Sequence, residues 1–400
     1  MNIEYFQRKQ NLLLAKTSNN FIREKYFNYL KSSNRLIGLI GARGVGKTTL
    51  LLQYLKSVDQ IFLYLSADDI IFQDIKLYYL CDEFYSIGGR VIVIDEIHKY
   101  KNWAQEIKNI YDSFPDILIR FSGSSQLNIL NEKYDLSRRA IIHKVNNLSF
   151  REYLELKHNI NLDVYDIQEI LENAMDISSK LVFSHPFLYG EFKKYLKYGA
   201  YPFFMEDDSS FDIKLLNALE KIIFEDIPSI NKINYEHLII FKKLIFRLIE
   251  ANKPYKVNIA SLSRDFGISE PTLYTYLSIL EKSDIFKLIK KYSQKITKKP
   301  EKILFKNTNI YNSYAKEFNI EPDLGTLRET FFVNSFIDQN ENIYYSTIGD
   351  FKFKDYIFEV GGKNKTFRQI KDQKNSYLVV DCDYSVVKNK IPLWLFGFLY

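Results

Sequence analysis

Residues 41–48 read Gly-Ala-Arg-Gly-Val-Gly-Lys-Thr and match the pattern G-x-x-x-x-G-K-[ST] at every fixed position. The apolar run Leu36–Ile40 precedes this octet, and a run of good helix formers, residues 49–56, follows it. A strand, a glycine-rich turn and a helix in this order form a phosphate-binding loop, because the turn points backbone N–H groups inward at the positive end of the helix. The alternative is a glycine-rich turn that matches by chance, and the flanking strand and helix argue against it.

The pattern gives individual residues chemical roles. Its glycines let the backbone turn around a phosphate. Lys47 can reach the β- and γ-phosphates, and the Thr48 hydroxyl can bind Mg²⁺. We predict that nine consecutive residues contact the nucleotide: Gly41, Ala42, Arg43, Gly44, Val45, Gly46, Lys47, Thr48 and Thr49.

Composition limits the classes of protein that remain. A length of 400 residues with 46% hydrophobic residues predicts two to four folded domains. Cys81 and Cys382 are the two cysteines, which excludes a disulfide scaffold and a zinc finger. The first residues have no apolar signal core, and no apolar run approaches the ~18 residues that a membrane helix needs. We therefore expect a cytoplasmic protein.

A second motif, Val91-Ile92-Val93-Ile94-Asp95-Glu96, is an apolar run that ends in two acids. Asp95 is predicted to hold Mg²⁺ and Glu96 to orient or deprotonate the attacking water. The paired acids, without an Asn-Lys-x-Asp guanine-reading motif, favour ATP over GTP. Together with the loop they predict an α/β fold with a five-stranded parallel sheet. The predicted strands are Leu36–Ile40, Ile61–Leu65, Val91–Ile94, Ile117–Phe121 and Ile141–Val145.

Several motifs in order resemble a large prokaryotic family of AAA+ ATPases that carry an additional C-terminal domain. The N-terminal motifs are Gly41–Thr49, Asp95-Glu96-Ile97-His98-Lys99, Trp103, Ser122-Gly123-Ser124-Ser125, Asp135-Leu136-Ser137-Arg138-Arg139 and Leu148-Ser149-Phe150-Arg151-Glu152-Tyr153. Shorter C-terminal ones are Tyr198-Gly199-Ala200-Tyr201-Pro202, Gly325-Thr326-Leu327-Arg328-Glu329 and Glu359-Val360-Gly361-Gly362-Lys363. The resemblance implies ATP binding and an AAA+ core, and the family's cellular role is generally unassigned.

The resemblance also implies two further site residues. Ser124, with Ser122 as its substitute, stands where AAA+ proteins carry a sensor for the γ-phosphate or its water. The alternative is a serine-rich turn that caps the next helix. Arg139, preceded by Arg138, stands where those proteins carry an arginine finger that reaches a neighbouring subunit. That role needs a homo-oligomer, and in a monomer the pair would be surface arginines.

We predict four domains. They are a P-loop NTPase AAA+ core at residues 1–149, a helical lid at 150–236, a winged helix-turn-helix at 237–306 and a restriction-endonuclease-like α/β domain at 307–400. Ser149 and Glu152 form a capping box that begins the lid. The winged helix is predicted from a helix at 259–266, Gly267, and a capped second helix that begins near Ser269.

A lysine-rich stretch, residues 281–306, holds nine lysines and three acids, an excess equal to the whole chain's formal net charge of +6. Such a stretch can bind duplex DNA together with the winged helix. A solvated lysine face and a protein-docking role for the winged helix remain the alternatives.

Four residues resemble the metal site of a restriction-endonuclease-like domain: Glu329, Asp350, Glu359 and Lys363. Acids on adjacent strands hold Mg²⁺ in that fold, and a lysine activates water. The usual lysine position is Gly361 here, so Lys363 lies about 7 Å further along the strand.

These features predict Mg²⁺-dependent ATP binding and hydrolysis by a switch or motor that acts with DNA. A nucleotide-gated protein-interaction module with slow hydrolysis and an ATP-dependent nuclease are the alternatives.

Overall fold

The computed structural model describes residues 2–123, 136, 138–231, 233–251, 253–292, 299–383, 387 and 389–400. The chain divides into two compact units, Met1–Asn146 and Asn147–Tyr400, which we call unit 1 and unit 2. Among the predicted functional residues, Ser124, Lys295 and Lys298 lie outside the described residues.

Unit 1 contains a parallel sheet of five strands, and the parallel sheet predicted from the sequence is confirmed. The strands are β1 (Leu36–Ile40), β2 (Phe62–Ser66), β3 (Val91–Asp95), β4 (Leu118–Gly123) and β5 (Ala140–Lys144), in the order β2-β3-β4-β1-β5. The helices are α1 (Asn2–Lys16), α2 (Glu24–Leu30), α3 (Lys47–Leu55), α4 (Leu77–Ser86) and α5 (Trp103–Ser113).

The two faces of this sheet differ because side chains alternate along each strand. On one face, buried residues such as Ile92, Ile94 and Phe121 form a hydrophobic core with α4 and α5. The opposite face packs against α3 at β3 and β4. At the carboxyl end of the strands this second face carries the polar residues Asp95 and Ser122, so it positions the candidate site.

Unit 2 is mainly helical from residue 150 to residue 250. Its helices are α6 (Phe150–His158), α7 (Ile167–Ser184), α8 (Leu188–Lys194), α9 (Phe211–Lys221), α10 (Ile227–Ile230), α11 (Tyr235–Glu250), α12 (Ile259–Phe266), α13 (Glu270–Lys282), α14 (Thr308–Glu317) and α15 (Leu324–Ile337). The predicted capping box begins α6, with Ser149 and Glu152 each bonded to the backbone of the other. Among the described residues, no helix is long and apolar enough to cross a membrane.

Two sheets complete unit 2. The first is an antiparallel sheet of three strands, β6 (Tyr255–Lys256), β7 (Phe286–Ile289) and β8 (Lys302–Phe305). Their order in the sheet is β6-β8-β7. A five-stranded mixed sheet has the order β13-β12-β11-β10-β9. Its strands are β9 (Tyr344–Tyr345), β10 (Phe351–Phe353), β11 (Tyr356–Gly362), β12 (Ser376–Asp381) and β13 (Lys390–Pro392).

The sequence of the last hundred residues predicts a single strand from Phe351 to Val360. This prediction was wrong, because the structure has an antiparallel hairpin, β10 and β11, in its place. Lys354 turns the chain with a φ of 52°. The turn residues are Lys354 and Asp355, and without Gly, Pro or Asn beside it Asp355 alone is a weak hairpin signal. The predicted domain boundaries at 150, 237 and 307 stay predictions.

Candidate nucleotide-binding site

The phosphate loop of unit 1 joins the end of β1 to the start of α3. Gly44 and Gly46 have φ values of 82° and 93°, a region that favours glycine. Gly41 passes so close to the end of β5 that an added Cβ would lie 2.3 Å from the Val145 carbonyl oxygen. Side chains at these three positions would therefore strain or block the turn.

Arg23 supports the loop from outside the motif. It is 4% exposed, and its Nη1 donates to the carbonyl oxygens of Val45 at 3.2 Å and Asn146 at 2.8 Å. These bonds tie the loop to the segment that follows β5. The sequence analysis missed Arg23, because a single arginine 22 residues before Val45 matches no motif.

Lys47 is 7% exposed at the first turn of α3. Its ammonium group donates to the carbonyl oxygens of Gly41 at 3.0 Å and Ala42 at 2.8 Å. The loop's own carbonyl groups thus hold the ammonium beside the N–H groups that would face a phosphate. Its contact with the β- and γ-phosphates stays a prediction.

Asp95 ends β3, and its carboxylate accepts hydrogen bonds from hydroxyl groups on three other elements. Thr48 Oγ1 donates to Oδ2 at 2.6 Å, and Tyr64 Oη donates to the same oxygen at 2.8 Å. Ser122 Oγ donates to Oδ1. The structure therefore brings together Thr48 and Asp95, the two residues predicted to bind Mg²⁺. Tyr64 is a contact that the sequence analysis missed.

Glu96 follows Asp95 in a left-handed conformation with φ 51°, and its N–H donates to Ser122 Oγ at 3.0 Å. Burial raises the pKa of the Glu96 carboxyl group, and the nearby Arg43 guanidinium partly opposes that shift. A partly buried carboxylate with a raised pKa is suited to accept a proton near neutral pH. This environment is compatible with the predicted role of Glu96 as a base for water.

The predicted sensor is only partly described. Ser124 lies outside the described residues, whereas its substitute Ser122 is fully buried in β4. The Ser122 hydroxyl donates to Asp95 and accepts from the Glu96 backbone. It therefore connects the two acids, and a direct contact with a phosphate stays a prediction.

Arg139 lies at the amino-terminal end of the sheet strands, whereas the phosphate loop lies at their carboxyl-terminal end. Arg139 precedes β5, and Ala140, the first residue of β5, pairs with Leu36, the first residue of β1. Leu36 is about 13 Å from Ile40, the last residue of β1 before the loop. Its guanidinium group forms two 2.9 Å bonds with the exposed Asp112 carboxylate. Within this chain Arg139 is therefore away from the loop, and its predicted finger role requires a neighbouring copy.

The lysine-rich stretch in unit 2 does not form one exposed face. Three of its lysines are buried and paired with acids: Lys287 with Asp284, Lys302 with Glu329 and Asp350, and Lys306 with Asp338. Four others are exposed: Lys282, Lys290, Lys291 and Lys299. The solvated lysine face that the sequence offered as an alternative therefore does not include the three buried lysines, because sequence alone does not show which lysines meet buried carboxylates.

Two of the predicted acids of the C-terminal part, Glu329 and Asp350, lie around one buried lysine. Lys302 Nζ lies 2.7 Å from a Glu329 oxygen and 3.6 Å from an Asp350 oxygen. Burial raises the pKa of Glu329 to about 7, although the Lys302 charge opposes the shift. Among the described residues, no group of three or more His, Cys, Asp or Glu side chains has the geometry to hold a metal ion.

A second lysine in this region corrects a prediction. Lys363 is exposed, and Lys365 pairs with the fully buried Glu359 at 2.5 Å. The Lys365 side chain lies over Gly361, where an added Cβ would come within 2.8 Å of it. Gly361 thus leaves the space through which a lysine four residues later reaches Glu359, and strand spacing could not predict this path.

Two parts of the chain match known protein families. Residues 33–154 match the family model described as an AAA domain. Residues 189–320 match a model described as a domain of unknown function, DUF8612. The first match covers the strands, the phosphate loop and both acids of unit 1.

Individual proteins also resemble parts of this chain. An uncharacterized protein of Methanocaldococcus jannaschii is 34% identical over an alignment of 303 residues, and the match covers 71% of this chain and 63% of that protein. The Walker-type ATPase PABY2304 of Pyrococcus abyssi is 15% identical, covers 73% of this chain and 95% of its own, and has a TM-score of 0.43. The RuvB Holliday junction branch migration motor of Thermotoga maritima is 15% identical, and the match covers 80% of this chain and 95% of the RuvB chain, with a TM-score of 0.29.

Proposed function

We propose that this chain, which carries an AAA-type P-loop ATPase domain in unit 1, binds ATP with Mg²⁺ and hydrolyses it as a switch or motor. The observation that best supports the proposal is the 2.6 Å hydrogen bond from Thr48 Oγ1 to Asp95 Oδ2 beside the phosphate loop. Hydroxyl and carboxylate oxygens are hard donors of the kind that Mg²⁺ prefers. Thr48 and Asp95 would hold Mg²⁺ there, and the cation would supply positive charge that neutralises the phosphates.

The chain's own residues divide the work of hydrolysis. The loop N–H groups and Lys47 bind and orient the phosphates. Glu96 holds the attacking water and accepts its proton, a task for which its raised pKa is suited. Ser122 keeps the Glu96 backbone in place through its 3.0 Å bond. Arg139 acts on a neighbouring copy's nucleotide if the chain assembles into an oligomer.

The first experiment measures phosphate release from ATP by the full chain. We expect turnover with Mg²⁺, none above background after chelation, and loss of both turnover and ATP affinity in Lys47→Ala, because the substitution removes the ammonium group beside the phosphates. Lys56→Ala changes an exposed lysine just after α3 and is the control. If calorimetry detects no ATP uptake by the folded parent protein, the proposed function is wrong.

A second part of the proposal is contact with duplex DNA through unit 2. Elements α11, β6, α12, α13, β7 and β8 follow one another in the order of a winged helix-turn-helix. The exposed positions of α13 include Thr275 but no Lys or Arg before Lys282. We therefore assign phosphate contacts to Lys290, Lys291 and Lys299, the exposed lysines that the structure describes between β7 and β8.

The DNA contact predicts a salt dependence. For three phosphate contacts, the affinity for duplex DNA should fall about 40-fold between 50 mM and 200 mM salt. The double substitution Lys290→Glu with Lys291→Glu should weaken binding and flatten this dependence. Lys371→Glu with Lys374→Glu, at two exposed lysines elsewhere in unit 2, is the matched control.

Other outcomes support the alternatives. Binding of ATP without salt-sensitive DNA binding would favour a nucleotide-gated module that docks a protein. An ATP-dependent nuclease stays a prediction, and the lysine partners of Glu329 and Glu359 give it no support.

A further inference from the structure

Tyr64 is a buried residue of unit 1 that belongs to none of the sequence motifs. It is 4% exposed in the middle of β2, and its hydroxyl donates to Asp95 Oδ2 at 2.8 Å. The strand pairing explains how the Tyr64 hydroxyl reaches Asp95. Tyr64 pairs with Val93, and Asp95 lies two residues further along β3 on the same face of the sheet. The long tyrosine side chain spans the offset of about 6.6 Å between them.

The Asp95 carboxylate is held at both of its oxygens. Oδ1 accepts from Ser122 Oγ and from the Glu96 N–H at 3.2 Å. Oδ2 accepts from Thr48 and from Tyr64. Thr48 has a role of its own on Mg²⁺ in the proposed function. Tyr64 is therefore the donor to Oδ2 whose contact serves only to orient the carboxylate.

Tyr64 is itself fixed by α1. Its backbone N–H donates to Gln10 Oε1 at 2.7 Å, and Gln10 is 5% exposed. β2 is an edge strand of the sheet, so some of its N–H groups have no partner on a neighbouring strand. Gln10 supplies that partner and connects α1 to the strand that carries Tyr64.

The Tyr64 hydroxyl is the donor in its contact with Asp95. A protonated phenol can donate one hydrogen bond, and Asp95 accepts it. Phenylalanine would keep the ring and remove only this donor.

We propose that Tyr64 is a positioning residue for magnesium, which holds the Asp95 carboxylate in the orientation that receives the cation, and that Gln10 positions Tyr64 in turn. The inference rests on the proposed function. Residues that orient a metal-binding carboxylate typically contribute 10- to 100-fold to metal affinity. Neither residue touches the nucleotide in this proposal.

The experiment compares Tyr64→Phe with the parent full-length chain. We expect the Mg²⁺ concentration for half-maximal ATP turnover to rise at least about tenfold, while ATP affinity measured without Mg²⁺ stays unchanged. Tyr85→Phe is the matched control, because Tyr85 donates to the exposed Asp116 at 3.3 Å. A loss of packing alone would lower the melting temperature without changing the Mg²⁺ requirement.

Gln10 provides an independent pair of variants. Gln10→Leu removes the acceptor for the Tyr64 N–H and should raise the Mg²⁺ requirement in the same direction as Tyr64→Phe. Gln10→Glu keeps an acceptor of nearly the same shape and should restore the parent value. A Gln10→Leu protein with the parent requirement would remove Gln10 from the proposal.

The outcomes separate this inference from the proposed function. Parent-like Mg²⁺ dependence in Tyr64→Phe, with turnover intact, overturns the inference alone. If the parent binds ATP without hydrolysing it, calorimetry at several Mg²⁺ concentrations still tests Tyr64, because the gain in ATP affinity from Mg²⁺ should shrink in Tyr64→Phe. If the parent binds no ATP, both proposals are wrong.

Discussion

Glu96→Gln is expected to lower the ATP turnover number about a thousandfold, within the 10²- to 10⁴-fold range of general base catalysis. Glutamine keeps the size of the side chain but cannot accept the proton of the attacking water. The Glu96 backbone bond to Ser122 does not depend on the side chain, so the site should keep its shape. ATP affinity in Mg²⁺ should therefore stay close to that of the parent.

The measurement combines steady-state phosphate release with calorimetric ATP binding. Glu83→Gln changes an exposed glutamate of α4 in the same way and should leave both quantities unchanged. Lys47→Ala should differ from Glu96→Gln, since it loses binding as well as turnover. Turnover by Glu96→Gln within tenfold of the parent would assign the proton transfer to another group.

Lys302→Ala is expected to lower the free energy of unfolding of unit 2 by about 3–5 kcal/mol. The Lys302 side chain is 3% exposed, and its two carboxylate partners, Glu329 and Asp350, are 8% and 22% exposed. Removal of the lysine leaves two carboxyl groups without their cation, and the main cost is an uncompensated buried charge or, at Glu329, the protonation of a group whose pKa burial already raises. Replacement of both Lys302 and Glu329 by Met and Leu should recover much of the loss.

The unfolding of unit 2 in urea can be measured separately by tryptophan fluorescence. Trp103 and Trp394 are the two tryptophans of the chain, and Trp394 lies in unit 2. A Trp103→Phe background for every variant leaves Trp394 as the fluorescent probe. The control is Lys316→Ala, because Lys316 is 74% exposed beside Asp212 and such pairs contribute less than about 1 kcal/mol. Equal losses of unfolding free energy in Lys302→Ala and Lys316→Ala would show that the buried ion pair of Lys302 contributes no more to stability than the exposed pair of Lys316.

The sheet of unit 1 could be predicted because its signals are local. Each buried parallel strand is a short apolar run, and the phosphate loop and the Asp95-Glu96 pair stand where two of these runs end. The carboxyl ends of parallel strands meet at one edge, so the motifs had to lie together. The contact between Thr48 and Asp95 follows from that geometry.

The supporting contacts could not be predicted, because they join residues far apart in sequence. Gln10 and Tyr64 are 54 positions apart, and Arg23 and Asn146 are 123 apart. A single glutamine, tyrosine or arginine has no periodicity or spacing that would indicate its partner. Register, burial and helix packing decide these contacts, and they exist only in the folded chain.

The least predictable property was whether a charged side chain is exposed to solvent or buried beside an opposite charge. A count of lysines treats Lys290 and Lys302 alike, yet the first is exposed and the second is buried between carboxylates. The hairpin at Lys354 was missed for a related reason, since its turn residues, Lys354 and Asp355, include no Gly, Pro or Asn. In both cases the long-range environment, rather than residue type, sets the outcome.

The tight approach of Gly41 to Val145 has a consequence for the thermodynamics of ligand capture. The start of the loop is pressed against the end of β5, and Arg23 ties Val45 to Asn146. The conformational entropy of these backbone groups is therefore lost when the domain folds, not when a ligand arrives. A preorganised receptor of this kind keeps more of its gross interaction energy as net affinity.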